Sequence, residues 1–283
     1  MNNTVIENMS FDEERALYRS HGVTLINCTF AGDADGESAL KESRDISVRD
    51  CLFRLRYPFW HDDNVSIENC TMADTCRAAL WYSDNITVSS SKLYGIKGLR
   101  ECSSVSFTDC DIISAEFGWS SRGVKMTDTS VQSEYFMLRA EDIEFRRVHL
   151  TGKYSFQYVK NAVIEECIFD TKDAFWHCSN VIVRNSVING EYLGWYSKGL
   201  VFENCTINGT QPLCWCDSLR LSGCRMNNAD LSFENSDVDA VLTDGIISIK
   251  NPRSGRITVP IADEIIRDDE NSRAEIIIGQ SAV

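Results

Sequence analysis

The sequence predicts an all-β fold: a single-stranded, right-handed parallel β-helix of about eleven coils, capped at both ends. Two observations support this. One phrase recurs along the chain: a polar residue or Gly, then alternating apolar residues, then Asn or Asp and often Cys, as in Asn64-Val-Ser-Ile-Glu-Asn-Cys70. From residue 85 onward the phrase returns every 19 residues, and its apolar positions align in columns. One coil cannot bury its own apolar face, so consecutive coils must stack.

Each repeat contains three short strands. The first has two apolar columns separated by a polar residue, beginning at Val23 and Leu25, which is the alternation of a strand with one buried face. A second strand is marked by the column that starts at Phe30, and a third by the column that starts at Leu40. Leucine-rich, hexapeptide and helical repeats fit neither the period nor the spacing.

The 283 residues, 43% of them apolar, show no linker-like segment, so a single domain is expected. We assign residues 1–21 to an amino-terminal cap, 22–236 to the coils, and 237–283 to a carboxy-terminal cap and tail. Insertions lengthen the earlier repeats, one of them around residues 32–36.

A net charge of −14 at pH 7 argues against duplex nucleic acid and anionic membranes as partners, because both require clustered Lys and Arg. The first residues lack the basic and apolar stretches of a secretion signal, and no apolar run approaches the ~18 residues of a membrane span. We therefore expect a cytoplasmic protein. Its 12 cysteines are expected to be reduced, and their spacing predicts no metal site.

The residue before the cysteine is Asn or Asp in most repeats. These residues tolerate the left-handed backbone that a sharp bend between strands requires. The column comprises Asn27, Asp50, Asn69, Asp109, Asp128, Asn185 and Asn204. The cysteines that follow share their column with Ser, Thr and Val, which predicts small buried residues and not disulfides.

The outward positions of the third strand and its following turn carry all six tryptophans. An indole can stack on the CH groups of a pyranose, and Arg can bond to its hydroxyls, at a coil spacing of ~4.8 Å. We predict that an oligosaccharide binds Trp60, Trp81, Arg100, Trp119, Tyr158, Trp176, Trp195 and Tyr196. The alternative is that these side chains form ladders simply because a parallel in-register sheet stacks like residues.

If the protein is an enzyme, we predict its catalytic residues to be Arg139, Lys172, Asp173, His177 and Glu191. Asp173 and Glu191, on adjacent coils, would stand at the ~5–9 Å separation of paired glycosidase carboxylates. Alternatively, Lys172 or Arg139 would be the base of a β-elimination on a uronate, with the two carboxylates holding Ca²⁺. The structural alternative is a ladder of alternating charges. The sequence leaves any cofactor unknown.

An apolar patch is predicted on the outward side of three adjacent coils. Val163, Ile182 and Val201 form one row, with Ile168 and Val187 nearby. Exposed apolar patches are usually covered by something else. The two hypotheses are that the carboxy-terminal tail, residues 254–283, packs on the patch, or that it is a homo-oligomer interface.

Several phrases resemble a bacterial family catalogued as domain of unknown function 3737, which is grouped with the pectin-lyase-like β-helices. They are Glu37-Ser-Ala-Leu-Lys-Glu-Ser43, Arg77-Ala-Ala-Leu-Trp-Tyr82, Lys172-Asp-Ala-Phe-Trp-His177, Gly190-Glu-Tyr-Leu-Gly-Trp195 and Asn251-Pro-Arg-Ser-Gly255. The resemblance covers nearly the whole chain and implies the same fold. It implies no activity and no catalytic residues.

Two functions therefore stay open from the sequence. The first is a carbohydrate-active enzyme, a lyase or glycoside hydrolase acting on oligosaccharides. The second is a non-catalytic carbohydrate-binding or scaffold protein. Perturbed carboxylates in a walled groove would favour the enzyme, whereas a flat strip with paired charges would favour the binding protein.

Overall fold

A computed structural model of the protein describes residues 4–32 and 37–279. These residues form a right-handed parallel β-solenoid of about 14 turns, with no helix among them. The chain divides into two compact units, Met1–Glu144 and Phe145–Val283. Residues 33–36 of the predicted insertion, and residues 1–3 and 280–283 of the predicted caps, lie outside the described part.

Each turn begins with a long strand, and successive long strands pair in parallel. In the first unit they are Thr4–Glu7, His21–Ile26, Arg44–Arg49, Asp63–Glu68, Asp84–Ser89, Ser103–Thr108 and Arg122–Thr127; Glu141–Arg146 includes the division between the units. In the second unit they are Lys160–Glu165, Ser179–Arg184, Lys198–Glu203, Leu219–Asn227, Asp237–Leu242, Ser254–Val259 and Glu275–Ile278.

A shorter second strand follows a sharp bend. In the first unit these strands are Ser10–Phe11, Thr29–Phe30, Leu52–Phe53, Thr71–Met72, Lys92–Leu93, Asp111–Ile113 and Ser130–Ser133. In the second unit they are His149–Lys153, Ile168–Lys172, Val187–Asn189 and Thr206–Asn208, and the strand Leu219–Asn227 serves both positions.

The third strand is regular only in part of the chain. It is present as Phe59–Trp60, Leu80–Trp81, Leu99–Arg100, Glu116–Phe117 and Tyr135–Phe136 in the first unit, and as Ile246–Lys250 and Ala262–Ile266 in the second. At residues 154–158, 173–177 and 192–196 the chain forms turns instead. The prediction of three strands in every coil is wrong for these repeats, because several of their residues adopt left-handed backbone angles, such as Asp173 at φ 53° and Phe175 at φ 58°.

The predicted count of eleven coils is also wrong. Thr4–Glu7 pairs in register with Val23–Ile26, so a further turn lies within the segment assigned to the amino-terminal cap. Ser254–Val259 pairs with Asp237–Val241, and Glu275–Ile278 pairs with Arg256–Val259. Ser254–Val259 and Glu275–Ile278 thus continue the long-strand sheet, and Ala262–Ile266 pairs with Ile246–Lys250, so these strands extend the solenoid instead of folding back over Val163, Ile182 and Val201. The step from Asp237 to Ser254 is 17 residues, so the 19-residue period is interrupted at this point of the chain.

The core follows the predicted apolar columns. Leu25, Phe30 and Leu40, which represent the three strands of one repeat, are each 0% exposed. Like residues stack from turn to turn: the rings of Phe30 and Phe53 lie 4.7 Å apart at 4°, and those of Phe156 and Phe175 lie 4.7 Å apart at 6°. Each such pair adds about 0.5–1.5 kcal/mol to the burial of its area.

The bends carry the predicted Asn and Asp residues in the left-handed conformation, for example Asn27 at φ 51° and Asp50 at φ 56°. Their side chains also bond between turns, as Asn69 Nδ2 donates to Asp50 Oδ1 at 2.5 Å. All twelve cysteines are free and buried. The Cys51 Sγ accepts a bond from the Cys28 backbone N–H at 3.2 Å, so these thiols act as small packing residues that also satisfy backbone groups at the bend.

One buried carboxyl was missed at sequence level. Asp62 occupies an inward column of small residues, most of them Ser or Cys, next to Ser43 and Ser83, and it is 1% exposed. Its Oδ1 accepts the Ser43 N–H at 2.8 Å, and its own N–H donates to Ser83 Oγ at 2.9 Å, while Oδ2 is buried without a partner among the described residues. Burial raises the pKa of Asp62 to about 8, against a smaller lowering by the Ser43 bond.

This carboxyl makes stability depend on pH. Because the folded-state pKa is raised, the folded state holds a proton that the unfolded state has lost between pH ~4 and ~8. Stability should therefore fall by up to about 1.4 kcal/mol per pH unit across that range and level off above it.

Asp62→Asn should remove this pH-dependent contribution to stability, because the amide is neutral and has nearly the shape of the protonated acid. Urea unfolding at pH 5 and pH 8 measures how much the free energy of unfolding falls between the two pH values. This fall should be smaller for Asp62→Asn than for the wild type. The exposed Asp263→Asn serves as the matched control and should behave like the wild type. Equal losses in all three proteins would contradict the assignment.

Candidate functional site

The outward residues of the third strand in the first unit form an aromatic ladder. The short strands Phe59–Trp60, Leu80–Trp81 and Leu99–Arg100 pair in register, which places Trp60, Trp81 and Arg100 one above another. Their inward neighbours Phe59, Leu80 and Leu99 are fully buried and anchor the strands. The rings of Trp60 and Trp81 lie 5.1 Å apart at 13°.

Basic groups flank the ladder. Lys41 Nζ lies 3.7 Å from the centroid of Trp60, on the face away from Trp81, and Arg100 lies 5.4 Å from the ring of Trp119. Both faces of Trp60 are therefore covered by protein groups. Because Trp60 is half-buried and stacked on both faces, the part of its ring left to solvent is the edge. The predicted stacking of a sugar on the face of Trp60 is thus blocked in this structure.

A second column lies beside the first. His61 and Tyr82 stack at 5.2 Å and 8°, and both have left-handed backbone angles, φ 59° and φ 50°. The Glu101 carboxylate accepts a bond from the Tyr82 hydroxyl, which raises the pKa of Tyr82. Because the left-handed residue ends the third strand at the same point in successive turns, its side chain always leaves the solenoid in the same direction.

The charged groups of this strip are paired with one another. Arg56 bonds Glu37 at 3.3 Å, and Arg100 bonds Glu101 at 3.1 Å. Glu116 lies 3.8 Å from Lys97. These pairs link neighbouring positions and turns, as in a ladder of alternating charges.

The indole N–H groups differ along the chain. Trp119 Nε1 donates to the Tyr135 carbonyl oxygen at 3.0 Å. In the second unit Trp176 and Trp195 donate to the carbonyls of Tyr192 and Gln211, at 2.6 and 2.8 Å. In each of these three cases the acceptor follows 16 residues later. The Nε1 atoms of Trp60 and Trp81 are buried with no partner among the described residues, in the part of the chain where repeat length departs from 19.

The second unit carries a longer exposed column. The rings of Tyr158, His177, Tyr196 and Trp215 follow one another at 4.9, 5.1 and 5.4 Å. Tyr158 and Tyr196 are 45% and 46% exposed. Beside this column Trp176 and Trp195 stack at 5.3 Å and 4°, and Trp215 lies 5.0 Å from Trp195 but is tilted by 60°. His177 is therefore one member of a ring stack between Tyr158 and Tyr196.

Lys172, Asp173 and Glu191 do come together in the second unit. Lys172 Nζ lies 3.1 Å from Glu191 Oε2, and this bond raises the pKa of Lys172. Asp173 is 8% exposed, and burial raises its pKa, with Lys172 opposing and Glu191 adding to the effect. The Asp173 N–H donates to the Glu191 carbonyl at 3.0 Å.

The remaining predicted catalytic residue, Arg139, belongs to the first unit. It is exposed and has a left-handed backbone angle of φ 57°. Among the described residues, no three His, Cys, Asp or Glu side chains are grouped as a metal site would require. The described residues also contain no helix that would cross a membrane. The cytoplasmic location stays a prediction.

The fold and these surfaces define a class, the right-handed parallel β-solenoid with outward side-chain ladders. The chain belongs to a family described as protein of unknown function (DUF3737), whose sequence profile matches residues 4–278. No curated protein matches the chain in sequence.

Solved structures show distant similarity. The surface adhesin PfbA of Streptococcus pneumoniae is 11% identical, with a TM-score of 0.48, over 81% of this chain and 82% of that one. The A-module of the mannuronan C-5 epimerase AlgE6 of Azotobacter vinelandii is 10% identical, with a TM-score of 0.32, over 98% and 89%. The catalytic domain of a GH87 α-1,3-glucanase in complex with nigerose is 11% identical, with a TM-score of 0.32, over 81% and 60%. None of these similarities identifies a ligand for this chain.

The ladder geometry makes a prediction about stability. Trp195→Ala removes contacts with the rings of Trp176, Tyr192, Tyr196 and Trp215 and the bond to Gln211, so it should lower the free energy of unfolding by about 2 kcal/mol. Trp195→Phe keeps a stacked ring and should cost less than half as much. The exposed ion pair with Lys172 adds little, so Glu191→Gln should change stability by less than about 1 kcal/mol.

Chemical unfolding of the three variants measures these differences. An Ala variant as stable as the wild type would show that the rings do not support one another.

Proposed function

We propose that this protein binds an oligosaccharide along its aromatic columns and does not transform it. The observation that carries the proposal is the placement of all six tryptophans, each half-exposed, on the third-strand side of the two units. A purely structural ladder has no need to gather every indole of the chain at the surface. Half-exposed aromatic residues are instead typical of ligand-binding surfaces.

The exposed ring edges determine the kind of contact. An aromatic ring is electropositive at its edge and electronegative on its face. A surface built of ring edges therefore favours electron-rich groups, such as the hydroxyl oxygens of a sugar or the carboxylate of a uronate. Lys41 and Arg100 in the first unit, and Lys172 in the second, add cationic hydrogen-bond donors at the margins.

The spacing of the rings supports an extended ligand. Successive rings in the exposed column of the second unit are separated by 4.9–5.4 Å, so equivalent contacts repeat once per turn. A polymer of identical units can satisfy such a repeat, whereas a compact ligand would use one step only. An oligosaccharide is the polymer that combines identical units with many hydroxyl groups.

The pKa shift of Lys172 and the ring contacts of His177 favour binding over catalysis. A base for β-elimination has to lose its proton near neutral pH. The bond to Glu191 shifts the pKa of Lys172 in the opposite direction, upward. His177 is held between two tyrosine rings, which suits a contact surface.

Titration with a panel of neutral and acidic oligosaccharides by isothermal calorimetry tests the proposal. Tyr82→Ala interrupts the exposed column of the first unit, and Tyr196→Ala interrupts that of the second. The variant in the binding unit should lose about tenfold in affinity, the value of one aromatic contact of ~1.4 kcal/mol. Ser106→Ala, on the long strand and off the aromatic strip, is the control and should bind like the wild type. No binding of any sugar by the wild type would refute the proposal.

A hydrolase remains a second candidate because of Asp173. Asp173 is 8% exposed and burial raises the pKa of its carboxyl, which is the direction in which the pKa of a general acid is shifted, and Glu191 lies on the next turn. In that case the same oligosaccharides should be cleaved, with release of reducing ends. Asp173→Asn and Glu191→Gln should each lower the rate at least about a hundredfold. Binding without any product over long incubation would exclude this candidate.

A further inference from the structure

The outward row of the long strands changes character between the units. In the first unit the row contains hydroxyl residues, among them Thr24, Ser47, Ser66, Thr87 and Ser106. In the second unit the row begins with three apolar residues. Val163 pairs with Ile182, and Ile182 pairs with Val201, so three β-branched side chains stand side by side on the surface.

This apolar row lies on a sheet face that no described segment of the second unit covers. Val163 is 39% exposed, while Ile182 and Val201 are half-buried between their neighbours. The sequence suggests that residues 254–283 cover this row. Ser254–Val259 instead extends the same sheet by pairing at its edge. A row of exposed β-branched residues of this kind favours an interface.

Charged residues flank the row asymmetrically. Before it, at the start of each strand, lie Lys160, Ser179 and Lys198, which pair in register. After it, at the end of each strand, lie Glu165, Arg184 and Glu203, also in register. One margin is therefore basic, and the other has carboxylates at both of its ends.

We propose that this face joins two copies of the chain, about a two-fold axis that runs along the row Val163, Ile182 and Val201. In this arrangement each apolar residue meets its own counterpart. The axis exchanges the two margins, so Lys198 of one copy faces the partner's Glu203. Lys160 faces the partner's Glu165 in the same way.

The charges select this arrangement over the other face-to-face dimer. A two-fold axis running across the row, parallel to the strands, would keep each margin opposite itself. Glu165 would then face the partner's Glu203, and Lys160 would face the partner's Lys198. Like charges in such contact are unfavourable. Self-complementarity about one axis is also what identifies a second copy as the occupant.

Beyond Val201 the proposed two-fold axis passes over longer, charged side chains. The row continues in register with Arg220, Asp239 and Arg256, so its charge alternates from turn to turn. A shallow depression of about 550 Å³ lies along these residues, with Val241 in its lining. Arg220 of one copy can reach the partner's Asp239, one turn further on, within this space.

The small size of the apolar row determines how strongly the two copies are expected to associate. A standard interface buries roughly 800 Å² on each partner, more than three β-branched side chains supply. The flanking charges must contribute, so the dimer should be weak and sensitive to salt. Sedimentation velocity over a roughly hundredfold range of concentration, reaching several hundred micromolar, should show reversible dimerisation. A monomer throughout would overturn the proposal.

Cysteine cross-linking tests the position of the axis. A residue on a two-fold axis lies next to itself in the dimer, so Ile182→Cys should form a disulfide-linked dimer on mild oxidation. The twelve native cysteines are buried, which keeps the background low. Ser106→Cys, at the equivalent outward position of a strand in the first unit, is the matched control. Equal cross-linking of the two variants, or none in Ile182→Cys, would contradict the axis.

Charge reversal tests the orientation. Glu203→Lys should weaken dimerisation at least about tenfold, because the introduced Lys faces the partner's Lys198. Adding Lys198→Glu to this variant restores opposite charges across the axis and should restore the dimer. Circular dichroism checks that both variants remain folded. Failure of the double reversal to recover dimerisation would rule out the proposed orientation.

Discussion

In-register parallel stacking is the constraint from which the other features follow. Each residue of a repeat lies over its counterpart one turn away, so a residue type repeated in sequence becomes a continuous column in space. Inward columns become the core, as in the stacked pair Phe156 and Phe175. Columns at the bends become ladders of Asn and Asp, whose left-handed backbone turns the chain. Outward columns become surfaces with a regular spacing.

The same constraint decides what the aromatic surface can do. Stacking places Trp176 against Trp195 nearly face to face, so the ring faces are used within the protein. Where a ring is covered on both faces, as in Trp60, the part left to solvent is its edge, and three of the indole N–H groups are already bonded to backbone carbonyls. A ligand therefore meets a rim of aromatic edges with cations at its margins. This differs from an isolated exposed ring that offers its whole face to one sugar.

Much of the fold could be predicted from the sequence because the repeat is carried by burial. Val23, Leu25 and Phe30 are spaced as strands with one buried face require, and each is buried. The turn number and the third strand could not be predicted so well. The first turn, from Thr4 to Val23, keeps the 19-residue step but lacks the recurring phrase, and the step from Asp237 to Ser254 is only 17 residues. The choice between strand and turn near residue 175 depends on local backbone angles that the apolar column does not encode.

Which of the predicted side chains lie together could be derived from the sequence, but the way they are oriented could not. The columns correctly grouped Trp60 with Trp81, and Lys172 with Glu191, since both pairs follow from register alone. Ring orientation could not be derived, because it depends on side-chain torsions and on which carbonyl accepts the indole N–H. Asp62 could have been found, since residue 62 falls in the inward Ser and Cys column, where a carboxylate conflicts with its surroundings.

The most direct measurement of the central claim is a nitrogen-15 NMR titration that follows the indole N–H resonances of the six tryptophans, assigned by single Trp→Phe variants. With a bound oligosaccharide, we expect shifts confined to neighbouring tryptophans of one ladder, either Trp60 and Trp81 or Trp176, Trp195 and Trp215. Saturable sugar binding, seen in the backbone amides, that leaves every indole resonance unmoved would show that the ligand lies elsewhere and that the aromatic columns serve the fold alone.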